Sequence, residues 1–177
     1  MRAFIAAEIP EKYKAGLRKL QEELAKEDVK ANWVKEFHLT LKFLGEASSV
    51  TLKRVKERLK DVLFKEFEME FTKLGVFPDE TFIRVVWVGL KPENKAKKVQ
   101  SKIDNVLRDM FRPDERFKAH ITLGRISSIK NKERFLDVLK SKSIEGSFRV
   151  KNFKLIKSNL TENGSIYETL EVYPNEM

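Results

Sequence analysis

A chain of 177 residues, 41% hydrophobic and with 13 Phe, suits one globular domain or two small lobes packed as one, with apolar side chains enough for a real core. The absence of Cys excludes disulfides and thiolate chemistry, while 36 Lys and Arg against 27 Asp and Glu give a formal net charge of +9 that favours polyanionic partners, nucleic acid first. The start Met1 to Glu8 is too short an apolar run for a secretory signal, and nothing approaches the roughly 18 apolar residues of a membrane span, so a soluble, cytoplasmic protein is expected.

The first segment, Ala3 to Ile9, reads as a buried strand ended by Pro10. From Glu11 to Lys26, Tyr13, Leu17, Leu20 and Leu24 recur at helical spacing among Lys, Arg and Glu, as on an amphipathic surface helix. Trp33-Val34 leads into a strand from Phe37 to Leu44, closed by Gly45. Ser48 or Ser49 caps the next helix, whose stripe is Leu52, Val55, Leu59, Val62 and Leu63. Phe67, Met69 and Phe71 alternate with polar residues in a half-buried strand that runs to Phe77 and is expected to break at Pro78-Asp79.

The second half repeats that order. Phe82 to Val88 is a nearly unbroken apolar strand, and Pro92 suits the first turn of a helix with the stripe Ala96, Val99, Ile103, Val106, Leu107 and Met110. Arg112-Pro113-Asp114 ends it. A strand from Ala119 to Ile126, a short helix around Arg134 to Lys140, a strand from Phe148 to Ile156 and a last strand from Ile166 to Val172 complete the chain. The alternation in Phe148 to Ile156 slips near Asn152-Phe153, where a bulge is expected. Both halves thus read strand, helix, strand, helix, strand, which suggests an internal duplication with half-repeats of about 1–78 and 79–177. Two such copies about a pseudo-two-fold axis leave a groove between them.

The two histidines of the chain each open a copy of one tetrapeptide, His38-Leu39-Thr40-Leu41 and His120-Ile121-Thr122-Leu123, at matching places in the two halves. On a strand, side chains alternate, so His and Thr share one face and the aliphatic pair faces a core. Histidine titrates near neutrality, and a pair can hold one protonated and one neutral imidazole at pH 7, as general acid and base catalysis together require. Thr40 and Thr122 can donate hydrogen bonds to phosphate oxygens. An acid and a base on opposite sides of phosphorus need no metal, and two histidines far apart in sequence show no zinc spacing, so neither metal nor cofactor is expected.

Strict alternation puts Lys42 on the face of His38, either meeting a phosphate or as an exposed lysine at the strand end. Its counterpart Gly124 leaves room for substrate backbone. Arg125 falls on the opposite face unless the strand bends after Gly124. Lys35, Arg112, Arg116 and Lys118 interleave with Trp33, Phe37, Phe43 and Phe117 as along a path for single-stranded nucleic acid, although alternating Phe is commonly core. No G-x-x-x-x-G-K-[ST], no G-x-G-x-x-G and no Lys-x-Asp-Gly stretch is present, so neither a nucleotide-cradling loop nor an ATP-activated lysine is signalled.

With the two His-x-Thr-x copies in place, the sequence resembles the two-histidine (2H) phosphoesterases, and within them the RNA 2',3'-cyclic phosphodiesterases long called 2'-5' RNA ligases, archaeal members above all. The likeness runs through Met1-Arg2-Ala3-Phe4-Ile5-Ala6, His38 to Gly45, Gly75-Val76-Phe77-Pro78, Ala119 to Arg125, and Ser158, Leu160, Gly164 and Tyr167-Glu168. The resemblance implies a bilobal, duplicated α+β fold with antiparallel sheets and flanking helices around a central cleft. It also implies hydrolysis of a terminal RNA 2',3'-cyclic phosphate to a 2'-phosphomonoester, with His120 as proton acceptor, His38 as proton donor, and Thr40 and Thr122 on the phosphate. Lys42, Arg125 and Tyr167 are further candidate substrate contacts. The partner expected is RNA with a cyclic-phosphate end, and the protein is expected to be monomeric. Alternatives are a 2'-5' RNA ligase joining RNA or tRNA halves and a non-catalytic RNA-binding module. The Lys- and Glu-rich composition with two Gln, Gln21 and Gln100, is that of a thermophile.

Overall fold

The computed structural model describes residues 1–174. Its elements are β1 (Arg2–Glu8), α1 (Glu11–Ala25), β2 (Val29–Trp33), β3 (His38–Glu46), α2 (Ser49–Leu59), β4 (Phe67–Asp79), β5 (Phe82–Lys91), α3 (Glu93–Val106), β6 (His120–Ile129), α4 (Lys132–Ser141), β7 (Ser147–Val150), β8 (Asn152–Thr161) and β9 (Gly164–Pro174). Neighbouring strands are antiparallel in the order β7-β4-β5-β6-β3-β1-β8-β9, with β2 branching off β6. The α+β architecture is therefore the expected one, and its order is symmetric about the junction of the motif strands β3 and β6. Outward from that junction, each motif strand meets the opening strand of its own half and then a strand from the other half: β4 joins β5, and β8 returns to β1. This exchange ties the halves together, so neither lobe is a contiguous stretch of sequence.

β1 shows how the sheet separates core from cleft. Ala3, Ile5 and Ala7 enter the main core, while Phe4 and Ala6 face the other way into a small cluster with Ile156 and Tyr167. The helices cover the core face: α3 packs on β3, α1 on β2 and β6, α4 on β4, and α2 lies beside α3. Leu17, Leu20 and Leu24 form the buried stripe of α1. Gln21 on the same stripe donates from Nε2 to the carbonyls of Val34 at 2.8 Å and Leu123 at 2.9 Å, tying α1 to the backbone beside both motif strands. No helix among the described residues is long and apolar enough to cross a membrane.

Four local expectations are corrected. β2 has no counterpart among the expected strands; Val29, Ala31 and Trp33 are its core-facing residues, an alternation too short to stand out. Pro78 does not break β4, which runs to Asp79. β7 pairs only with Phe67 to Glu70, so Pro78 needs no second ladder donor. Helix α2 stops at Leu59; Val62 is buried beyond it and Leu63 is exposed. The slip at Asn152-Phe153 is a hand-over between lobes, since β7 pairs with β4 and β8, beginning at Asn152, pairs with β1.

Candidate active site

The motif strands touch through one bridging pair, Leu39 with Ile121, both wholly buried. Continuing that antiparallel register sets His38 opposite Thr122 and Thr40 opposite His120. The two histidines are then diagonal neighbours, about 7–8 Å apart in a regular pair. Beyond the bridge, β2 takes over the same edge of β6, where Trp33 pairs with Gly124, so the motif strands share one pair only. A cleft of about 290 Å³ is lined by His38, Thr40, His120 and Thr122 together with Arg2, Glu36, Phe43, Arg125, Ser158, Leu160 and Tyr167. Four residues from the two tetrapeptides therefore share one cavity.

Each motif strand departs from strict alternation at its fourth motif residue. Opposite β1, the register passes from Thr40 with Ala6 to Lys42 with Ile5, leaving Leu41 as a bulge; opposite β5 it passes from Thr122 with Trp87 to Gly124 with Val86, leaving Leu123 as a bulge. A bulge shifts every later side chain to the other face. Lys42 thereby turns into the core and Phe43 to the cleft; Gly124 turns to the core and Arg125 to the cleft. Phe43 and Arg125 are structural twins.

The candidate contacts fall out accordingly. Lys42, 5% exposed, is not a lining residue of the cleft; its ammonium is ion-paired with Asp104 and donates to the Arg112 carbonyl at 2.9 Å. Gly124 leaves room for Trp33, not for a substrate: a Cβ there would lie 2.6 Å from the indole. Arg125 and Tyr167 both reach the cleft. Among the aromatic path candidates, Phe37 is buried core and Trp33 packs on the core, while Phe43 is 64% exposed.

Four rings frame both histidines, of which the sequence singles out Tyr167 alone as a candidate contact. Phe4 and Tyr167 meet His38 edge-on at 5.6 and 5.5 Å between centroids, and Phe77 stands at 90° to His120 at 5.0 Å with Trp87 at 6.2 Å. Phe4 alternates in β1 and Trp87 in β5, but their meeting with a histidine depends on strand pairing. His120 Nδ1 lies 2.6 Å from the Lys118 carbonyl, which only accepts, so Nδ1 carries the proton and Nε2 keeps its lone pair. Burial lowers the pKa of both imidazoles, His38 to about 4, with Lys14 and Lys154 adding to it and Glu8 opposing. For His120 the hydrogen bond to Lys118 opposes the burial effect without cancelling it. Burial alone thus favours the neutral form of both rings. An anion between them favours the charged form and works in the opposite direction.

Two half-buried imidazoles, two hydroxyls and the Arg125 guanidinium, brought by equivalent strands, line one small cleft, an arrangement whose chemistry suits a phosphoester. The family model described as LigT like Phosphoesterase matches twice, at residues 7–87 and 88–167. Proteins named RNA 2',3'-cyclic phosphodiesterase are 36% identical in Archaeoglobus fulgidus, over 98% of this chain and 99% of theirs, and 34% in Methanocaldococcus jannaschii, over 97% and 99%. The chain belongs to the LigT-like phosphoesterase family, whose relatives at this identity are hydrolases by name. Its fold is similar to that of a Thermus thermophilus protein, with TM-score 0.80, 24% identity and 98% and 97% of the two chains covered. It is also similar to Escherichia coli LigT complexed with 3'-AMP, with TM-score 0.79, 21% identity and 99% and 98% covered.

Proposed function

We propose that this protein hydrolyses the terminal 2',3'-cyclic phosphate of RNA to a 2'-phosphomonoester, with His120 as base and His38 as acid. The observation that carries this reading is the shared cleft of two imidazoles and two threonine hydroxyls around the Leu39 and Ile121 bridge. The names of the archaeal relatives supply the substrate class.

In this reading the cyclic phosphate sits between the rings, its non-bridging oxygens accepting from Thr40 and Thr122. His120 Nε2 takes a proton from water and the resulting hydroxide attacks phosphorus. The bond from phosphorus to O3' breaks, and protonated His38 gives O3' its proton, leaving a 3'-hydroxyl and a 2'-phosphate. The proton gained by His120 and that lost by His38 balance, and solvent exchange resets the pair. The phosphate anion supplies the charge that raises His38 from its burial-lowered value, so substrate recruits the acid. Arg125 lends a further positive charge, and the Phe4 and Tyr167 rings hold the His38 plane.

This division of roles fixes the sign of the pH dependence. His38 must be protonated and His120 neutral, and kcat/KM reports the pKa values of the unliganded enzyme. Both are lowered from 6.5, so the bell of kcat/KM, whose midpoint is the mean of the two, centres below pH 6.5. The kcat profile lies at higher pH, because bound phosphate raises His38. A kcat/KM bell centred above pH 7 contradicts this assignment.

The decisive assay incubates an oligoribonucleotide ending in a 2',3'-cyclic phosphate, in EDTA, and identifies the product. A 2'-phosphate is expected. A 3'-phosphate reverses which bond is cleaved, and no turnover with retained RNA affinity makes the protein a binding module. Adding a 5'-hydroxyl RNA tests ligation, in which that hydroxyl replaces water and a 2',5' linkage appears.

A further inference from the structure

A second cavity of about 90 Å³ adjoins the cleft, sharing Thr40, Phe43 and His120 with it. Its other walls are the segment Asp114, Arg116, Phe117 and Lys118, with Phe77 beneath. We propose that this groove is a subsite for the phosphodiester immediately upstream of the terminal nucleotide, so that the enzyme selects an RNA strand end over a free cyclic mononucleotide. This deepens the phosphodiesterase reading and rests on it.

The two cavities differ in size as the parts of such a strand differ. The larger is flanked by Phe4, Tyr167 and Leu160 and has room for a nucleoside beside the reacting phosphate; the smaller matches one phosphodiester group. Both open onto His120, so a terminal ribose at their junction sets its cyclic phosphate over the imidazole pair, its base in the larger cavity and its 5' side toward the smaller. Phe43 stands at the shared wall with 64% of its surface exposed, a platform on which a base can stack. The charge on the far wall is right for a phosphate. Arg116 and Lys118 are exposed cations, and Lys118 lies over the Trp87 ring with its ammonium 5.0 Å from the centroid. Asp114 keeps its negative charge on this wall, accepting only the Arg116 amide at 3.0 Å, so Arg116 and Lys118 leave the wall with one net positive charge, and Lys42 is paired with Asp104.

The segment is also well held. The Asp114 amide donates to Asp104 at 2.8 Å, and Asp104 takes the Lys42 ammonium from β3, so the cationic wall is fixed relative to the motif strand it faces. A loop anchored in that way presents its cations without the ordering cost that a free loop would incur.

The test compares a 2',3'-cyclic mononucleotide with a pentaribonucleotide bearing the same cyclic-phosphate end. Two cation contacts to a single strand predict that raising salt from about 50 to about 200 mM reduces the kcat/KM advantage of the pentamer about sevenfold, and Arg116→Ala, leaving one contact, cuts that salt effect to about threefold. Mononucleotide turnover by Arg116→Ala remains at the wild-type rate, which also shows that the variant is folded. Equal wild-type kcat/KM on the two substrates, or a pentamer advantage unchanged in Arg116→Ala, overturns the subsite and leaves the phosphodiesterase reading standing. Turnover of neither substrate by wild type overturns both.

Discussion

Replacing His120 by alanine is expected to lower kcat/KM on a cyclic-phosphate oligonucleotide by about 10²–10⁴-fold, the range of one positioned acid or base. Its Nδ1 is tied to the Lys118 carbonyl and its ring edge to Phe77, so the group lost is one Nε2 lone pair held in a set direction. His38→Ala is expected to fall by a similar factor. The double variant should be little slower than either single one, because an acid and a base that serve one displacement act as a unit. RNA affinity measured on a non-hydrolysable end should change far less than the rate, since the cations and threonines remain. Retention of full turnover by either single variant would sink the mechanism.

The largest stability effect is expected at Lys42. Its ammonium and the Asp104 carboxylate are 5% and 7% exposed at residue level, and Asp104 also accepts from Gln100 at 2.6 Å and from the Asp114 amide. Lys42→Met leaves that carboxylate without its cation, and breaking a buried pair from one side costs about 3–5 kcal/mol. Lys42→Met with Asp104→Leu removes both charges and is expected to recover most of the loss. Urea unfolding of the three proteins decides it: a single variant within about 1 kcal/mol of wild type would mean that the pair is solvated. Because the pair links β3 to the segment leading into His120, the single variant should also loosen the site.

Lys42 shows where strict alternation stopped being a guide. The two tetrapeptides announced themselves by residue type, since histidine, threonine and aliphatic pairs repeat regardless of neighbours. The side chain after each copy depended on a bulge, and a bulge is defined by the partner strand. Alternation put Lys42 in the cleft and Arg125 behind it; Leu41 and Leu123 reversed both and brought Phe43 forward. Gly124 misled for the same reason, since the indole that fills its space comes from β2, a strand whose only sequence trace is three alternating residues. The rest of the aromatic frame was equally out of reach: Tyr167 was a candidate contact, but Phe4, Phe77 and Trp87 meet the histidines from three further strands.

By itself the sequence determined the repeated order of elements and the four motif residues, because each is written in local periodicity or in residue identity, and the resemblance those words carry implied the α+β class. It determined the phosphoesterase family through the same words. Only the tertiary structure decided that the lobes exchange β4 and β8, that two bulges choose which later side chains face the cleft, and that burial lowers the pKa of both imidazoles. The physical reason is common to all three: pairing, register and desolvation belong to segments distant in sequence, and no stretch of one strand carries them.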